Sequence, residues 1–305
     1  MVLDRTDVRS TMASYGASTR PPASAYAPCE YVRFYGTEPQ DSSPTARTWY
    51  ARGQNFVLAY SEAQPGAEFS RAGQPDEYVI LLPERDGAAL EVTTDAGTTS
   101  VPPYSITFVP AGQSKVRVTS PGRVVQLFSH RSDDLIARAS NAPSYAQPHP
   151  NVAPLEAWPD PVGGFRVRTY SLDIPRDKNR FGNIFRCTTF MVNYMDGSSG
   201  PRDPSKLSPH SHDDFEQCSL VLQGEYVHHI RFPWTSNLAA WLDDDHTQIG
   251  SPSVAVIPPP SIHTSQAIGT GHNQLIDIFS PPRVDFSERP GWVLNADDYP
   301  APGHA

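Results

Sequence analysis

The chain has 305 residues, a formal net charge of -9 and 38% hydrophobic residues, enough apolar material to fill the cores of two domains or one double domain. The acidic balance argues against binding to phosphate backbones, so no nucleic-acid partner is expected. No run approaches the roughly 18 apolar residues of a membrane span, and Met1-Val2-Leu3-Asp4-Arg5-Thr6-Asp7 lacks the apolar core of a secretory signal. A cytoplasmic protein with no membrane partner is the expectation. Cys29, Cys187 and Cys218 have no zinc-type spacing, and an odd number of thiols gives no disulfide framework, so they are expected to be reduced.

Residues 1–47 are rich in Ser, Thr, Ala and Pro, with breaks at Pro21-Pro22 and Asp41-Ser42-Ser43-Pro44, and read as an arm. From residue 48 to 134 the pattern becomes short apolar runs separated by turn signals: Phe56–Tyr60, Glu77–Leu82, Ala89–Val92, Ile106–Val109 and Val124–Phe128. Their density is that of an all-β sandwich or barrel. Residues 135–165 read as a linker: a helical turn over Asp134–Ala139, then a Pro- and Ala-rich stretch from Asn141 to Pro161.

Residues 166–286 repeat the first set in order. Phe190–Tyr194 echoes Phe56–Tyr60, Gln217–Leu222 echoes Glu77–Leu82, Val256–Pro260 echoes Phe108–Gly112, and Asp277–Ser280 echoes Gln126–Ser129. Four echoes in the same order indicate duplication. The tail, 287–305, carries Trp292 and Leu294, too apolar to stay in water and expected to pack on a barrel or a partner chain.

Chemistry concentrates in the second copy. The stretch Ser208-Pro209-His210-Ser211-His212 places two imidazoles two residues apart, which in an extended chain face the same way and can approach one ion together. Further donors are Gln217 and His263, with Glu216 the alternative to Gln217. Strand alternation points one of that adjacent pair away from the site.

This arrangement resembles the cupin superfamily: His210-Ser-His212, four residues, Gln217, six residues, Gly224, then Pro258-Pro-Pro260-Ser-Ile-His263. Pro260 stands where that family usually has Gly, and Gln217 where it usually has Glu. The resemblance implies a bicupin, two jelly-roll barrels in tandem, with one divalent metal ion per chain (Fe, Ni, Mn or Zn) in the C-terminal barrel. Aligned on Glu77, the first copy carries Ser70, Ala72 and Lys115 in place of the histidines, so its barrel is expected to hold no metal. Protonated Lys has no lone pair to offer. Glu77 and Lys115 either pair in the vacated site or reach solvent.

In Glu225-Tyr226-Val227-His228-His229-Ile230-Arg231, alternation turns one of His228 and His229 inward. The inward histidine is a candidate acid or base, or a structural hydrogen-bonding group, and Arg231 a candidate carboxylate clamp or a rim ion pair. Asp243-Asp244-Asp245-His246 reads as a solvated loop, His272 and His304 as turn and tail residues, and Cys218 as core. The expected function is a metal-dependent enzyme using Lewis-acid chemistry on a small polar, carboxylated or sugar-acid-like substrate. Gln-bearing small cupins, which include sugar-acid ring-opening enzymes and polyketide cyclases, imply this by resemblance. The alternatives are an iron- or nickel-dependent dioxygenase and a non-catalytic, metal-stabilised binding protein. As an assembly, a monomer or homodimer is expected.

Overall fold

The computed structural model describes residues 25–303. The polar amino terminus, the Pro21-Pro22 break and His304 lie outside the described residues. Each half of the chain builds a barrel from one large and one small antiparallel sheet. The first large sheet runs Arg168–Ser171, Ser105–Val109, Tyr78–Leu82, Gly122–Ser129, Phe56–Ala63, Ala46–Arg52, Asp41–Ser42. The second runs Glu30–Arg33, Ser253–Ile257, Gln217–Gln223, His272–Phe279, Met191–Tyr194, Asn183–Arg186, with Ser198–Ser199 beside His272–Phe279. A four-stranded sheet (Glu68–Gln74, Gly112–Ser120, Ala89–Thr94, Gly97–Val101) closes the first barrel. A three-stranded one (Asp245–Gly250, Glu225–Arg231, Ile262–Ala267) closes the second.

Several of these strands cross the divisions read from the sequence: Asp41–Ser42, in the expected arm, and Ala46–Arg52, which straddles its boundary, belong to the first large sheet. Glu30–Arg33, in the expected arm, pairs with Ser253–Ile257 of the second barrel, and Arg168–Ser171, in the expected second barrel, pairs with Ser105–Val109 of the first. The large sheets pack face to face, so their central strands are buried on both sides. Val79, Leu81, Cys218 and Leu220 join the core between the barrels, whereas Tyr78, Ile80 and Leu82 line the first barrel and Val221 the second. Alternation at period two makes one strand serve two cores.

The registers correct the echo by one residue. Tyr78 faces Val109 as Gln217 faces Ile257, and Val79 faces Leu127 as Cys218 faces Ile278. Tyr78, not Glu77, therefore stands where Gln217 stands. Likewise Ser114 pairs with Arg71 as His263 bridges to His210. The Tyr78 hydroxyl lies 3.0 Å from Ser114 Oγ and its ring stacks on Phe128, with Arg71 over the other partner of that stack and bidentate to Asp134. Lys115 points out to Glu68, so no Glu77–Lys115 pair forms.

Glu77 and Glu216 are thus the equivalent pair, both on the inter-barrel face, and each reaches a hairpin of the other barrel. Glu77 accepts from the Thr188 backbone N–H and hydroxyl, both at 3.1 Å, and from the Tyr299 hydroxyl at 2.6 Å. Glu216 accepts from the Gln54 N–H at 2.6 Å and Tyr145 at 3.2 Å, with His149 Nδ1 at 3.0 Å. A Cβ on Gly53 would fall 2.6 Å from Glu216 Oε2, so glycine is needed for the approach.

The tail closes the same interface. Trp292 packs on Phe286 and donates to the Asn179 carbonyl, Leu294 leans on the inter-barrel core, and Tyr299 is 1% exposed within it. Truncation after Glu288 strips Trp292, Val293 and Tyr299, each worth about 1.5–3 kcal/mol of burial, and is expected to lower the melting midpoint by about 10 °C in a thermal scan.

Burial holds the Glu77 carboxyl above the ordinary glutamate range, with the Tyr299 and Thr188 hydrogen bonds opposing it only in part. A raised folded pKa contributes stability that is complete below the unfolded value and is lost as pH rises through the folded one. Glu77→Gln should therefore gain stability relative to wild type as pH rises from about 4 to 7, read by urea denaturation across that range.

Candidate metal centre

Three segments bring the site together at one end of the second barrel. The extended stretch through His210 and His212 runs along the edge of Ile262–Ala267, and His210 and His263 exchange backbone hydrogen bonds of 3.0 and 2.7 Å. Gln217 enters from the start of the central strand, on the face opposite Glu216. His210, His212 and His263 each place a ring nitrogen within 4.8 Å of the other two, and theirs is the sole such histidine, cysteine or carboxylate cluster among the described residues.

The donor atoms are set by the backbone. His210 Nδ1 lies 3.1 Å from the Ser208 carbonyl and His263 Nδ1 3.0 Å from the Ser261 carbonyl. A carbonyl only accepts, so both Nδ1 atoms carry the proton and the lone pair sits on Nε2. Gln217 Oε1 lies 2.9 Å from His212 Nε2 and 3.3 Å from His263 Nε2. Two lone pairs facing each other, as at His263 and Gln217, suit a cation between them. Ligands about 2.1 Å from one ion lie about 3.0–3.4 Å apart, which matches these spacings. Burial, then the neighbouring Arg283, His210 and His263, hold His212 well below the ordinary histidine pKa and keep its ring neutral. The residues fit a divalent ion bound by N and O donors.

The site borders a cavity of about 280 Å³ inside the barrel, lined by His210, Gln217, His263, Tyr226, Ser265 and Asp277 among others. A larger cleft of about 570 Å³ lies between the barrels, but its Arg85, Arg123 and Arg176 pair with Asp173, Glu84 and Asp196. Nothing there gathers ligating or nucleophilic groups as the histidine site does.

The parity of the strand Glu225–Arg231 is resolved. His228 faces inward, fully buried, with Nδ1 at 2.8 Å from Ser265 Oγ, and burial pushes its pKa down to about 3. His229 faces out, its Nδ1 2.8 Å from that of His246 and its Nε2 near Gln266. Arg231 is exposed and engages Asp244 through two nitrogens. The expectation that His229 or Arg231 serves at the site is therefore corrected: the pleat turns both away from the cavity. Asp245, expected in a solvated loop, opens the strand Asp245–Gly250 and accepts from Tyr31, and His272 opens another strand.

Sequence reading missed Asp277. Its Oδ1 accepts from Gln217 Nε2 at 3.0 Å and from Ser219 Oγ at 2.8 Å. The available signal was a carboxylate in the middle of the apolar strand Leu275-Ile276-Asp277-Ile278-Phe279. Tyr145 and His149, which meet Glu216 from the linker, left no sequence signal.

Comparison of the sequence with protein-family models and with curated proteins finds no match. Solved structures do match in fold. AerE from Microcystis aeruginosa superimposes with a TM-score of 0.53 at 12% identity, covering 85% of this chain and all of that one. Oxalate decarboxylase from Lactobacillus farciminis, in a formate complex, gives 0.55 at 14% over 87% of this chain and 88% of that one. Bacillus subtilis oxalate decarboxylase, studied for its Mn(II) centres, gives 0.54 at 13% over 89% and 83%. Among the described residues no helix is long and apolar enough to cross a membrane.

If His210, His212 and His263 form the centre, wild type should take up about one equivalent of Mn2+ per chain. His210→Ala combined with His263→Ala should take up almost none while keeping its β-sheet circular dichroism. Elemental analysis after gel filtration reads both.

Proposed function

We propose that this chain, a bicupin by fold, is a metal-dependent enzyme acting on a small polar substrate by Lewis-acid chemistry of the isomerase, lyase or cyclase kind. The observation that carries the reading is the convergence of three imidazoles and one amide oxygen on a single point at the wall of a cavity. His210, His212, Gln217 and His263 would hold the ion, with Fe, Ni, Mn and Zn as candidates. Since all four donors are neutral, the bound ion keeps its full positive charge to polarise a substrate carbonyl or hydroxyl oxygen. Manganese gains weight from the Mn(II) centres of the structurally similar decarboxylase.

A wider cleft of about 920 Å³ opens beside His212, and the cavity beside His210, Gln217 and His263 measures about 280 Å³, just below the range of drug-sized pockets. Tyr226 and Ser265 offer hydroxyls to it, and Arg202, held by Ser208 and the Lys206 carbonyl, adds positive charge to its wall for a carboxylate. His228 stays neutral near pH 7 and so orients the Ser265 hydroxyl instead of taking up a proton.

A redox reading stands second, as an iron- or nickel-dependent dioxygenase. Proton-coupled electron transfer has been studied in oxalate decarboxylase, whose fold this chain shares, and three histidines also suit a redox metal. A non-catalytic binding protein stands third. Turnover of small hydroxy, keto and sugar acids by Mn2+- and Fe2+-loaded protein separates the three. Equal rates with and without oxygen are expected. Activity that stops anaerobically and returns with oxygen overturns the Lewis-acid reading, and binding without turnover in either atmosphere favours the third.

A further inference from the structure

We infer that Asp277, acting with Ser219, is a positioning residue that makes Gln217 turn its oxygen, not its amino group, toward the three histidines. The inference rests on the proposed metal site. An amide side chain has an acceptor end and a donor end of nearly the same shape, and only its partners decide which way it faces. At Gln217 they decide it fully. Nε2 donates to Asp277 Oδ1 and to Ser219 Oγ, both at 3.0 Å, which uses both of its hydrogens. Ser219 gives its own hydrogen to Asp277 Oδ1 at 2.8 Å, so toward Gln217 it can only accept.

Turned through 180°, Gln217 would set its oxygen against Asp277 Oδ1 and present N–H groups to the point where the imidazoles converge. The three residues are 3%, 0% and 7% exposed in the order Gln217, Ser219 and Asp277, so little water competes for these bonds. The hydrogen bond to a carboxylate also draws electron density toward the amide oxygen, which strengthens it as a donor. The site thereby keeps neutral ligands while an acidic group stands one residue behind them.

The first barrel serves as an internal comparison. The registers place Tyr78, Ile80 and Gln126 where Gln217, Ser219 and Asp277 stand: Ile80 faces Gln126 as Ser219 faces Asp277. That barrel closes with an isoleucine and a glutamine at these positions, so the fold does not require the serine or the aspartate. All three members of the relay differ together between the copies.

The test is Co2+ affinity by equilibrium dialysis, followed also by the visible bands of bound Co2+, with the melting midpoint of the metal-free protein measured beside it. Asp277→Asn offers both a donor and an acceptor and so no longer selects one orientation of Gln217. It should bind Co2+ about 10- to 100-fold more weakly with little change in the metal-free midpoint. In the double variant Gln217→Glu with Asp277→Asn, a carboxylate at 217 faces the ion whichever way it turns and accepts from the new amide, so affinity should return to wild type or better. Should Asp277→Asn not fold, Ser219→Ala removes one of the two acceptors and should weaken Co2+ binding in the same direction by less. A folded Asp277→Asn or Ser219→Ala that binds like wild type, or a double variant as weak as Asp277→Asn, overturns the role of Asp277 and leaves the metal site standing. Wild type that binds no Co2+ overturns the site and the inference together.

Discussion

Neighbouring residues on a strand face opposite ways, and at the entry to one central strand in each barrel this constraint sets both the assembly of the two halves and the chemistry inside them. Glu77-Tyr78 and Glu216-Gln217 are the two instances. In each, the glutamate looks into the seam between the sheets and the next residue looks into the barrel. Neither member can move by one position without sending a carboxylate into a barrel and the site residue into the seam.

A carboxylate buried in such a seam is costly unless donors surround it. Both are met by a backbone N–H from the opposite barrel's hairpin and by hydroxyl or imidazole groups from the linker or the tail. The linker and tail are therefore part of the interface, not spacers. Tyr145 and His149 bring one to Glu216, and Tyr299 brings the other to Glu77.

On the barrel side, the duplicated positions have taken opposite courses. In the first barrel an aromatic ring, a serine hydroxyl and a guanidinium paired with Asp134 take these positions through stacking and hydrogen bonds, beside a cavity of about 240 Å³. In the second, imidazoles held by the Ser208 and Ser261 carbonyls converge with the Gln217 oxygen and leave a cavity beside them. The same backbone register thus supports a stacked and hydrogen-bonded set of side chains in one copy and a ligand-like set of donors in the other. Arg71, Tyr78 and Ser114 stand where the second copy has His210, Gln217 and His263.

Sequence alone carried the all-β class, the duplication and the spacing of the histidines, because apolar alternation and donor spacing are local properties that a linear pattern displays. Alternation also required Gln217 and Glu216, being adjacent, to diverge, and the motif spacing of the resembled family chose between them. Alternation did not suffice for the register between copies. Glu77 matched Gln217 in polarity, and only the pairing of Tyr78 with Val109 and of Gln217 with Ile257 showed the one-residue offset. Nor could it set the parity of His228 and His229, which depends on which face of a three-stranded sheet closes the barrel. The strand exchange of Glu30–Arg33 and Arg168–Ser171, the contacts of His149 and Tyr299, and the grip of Asp277 on Gln217 join residues tens to hundreds of positions apart. Such contacts exist only once distant strands have paired and the two large sheets have packed, so the tertiary structure alone decided them.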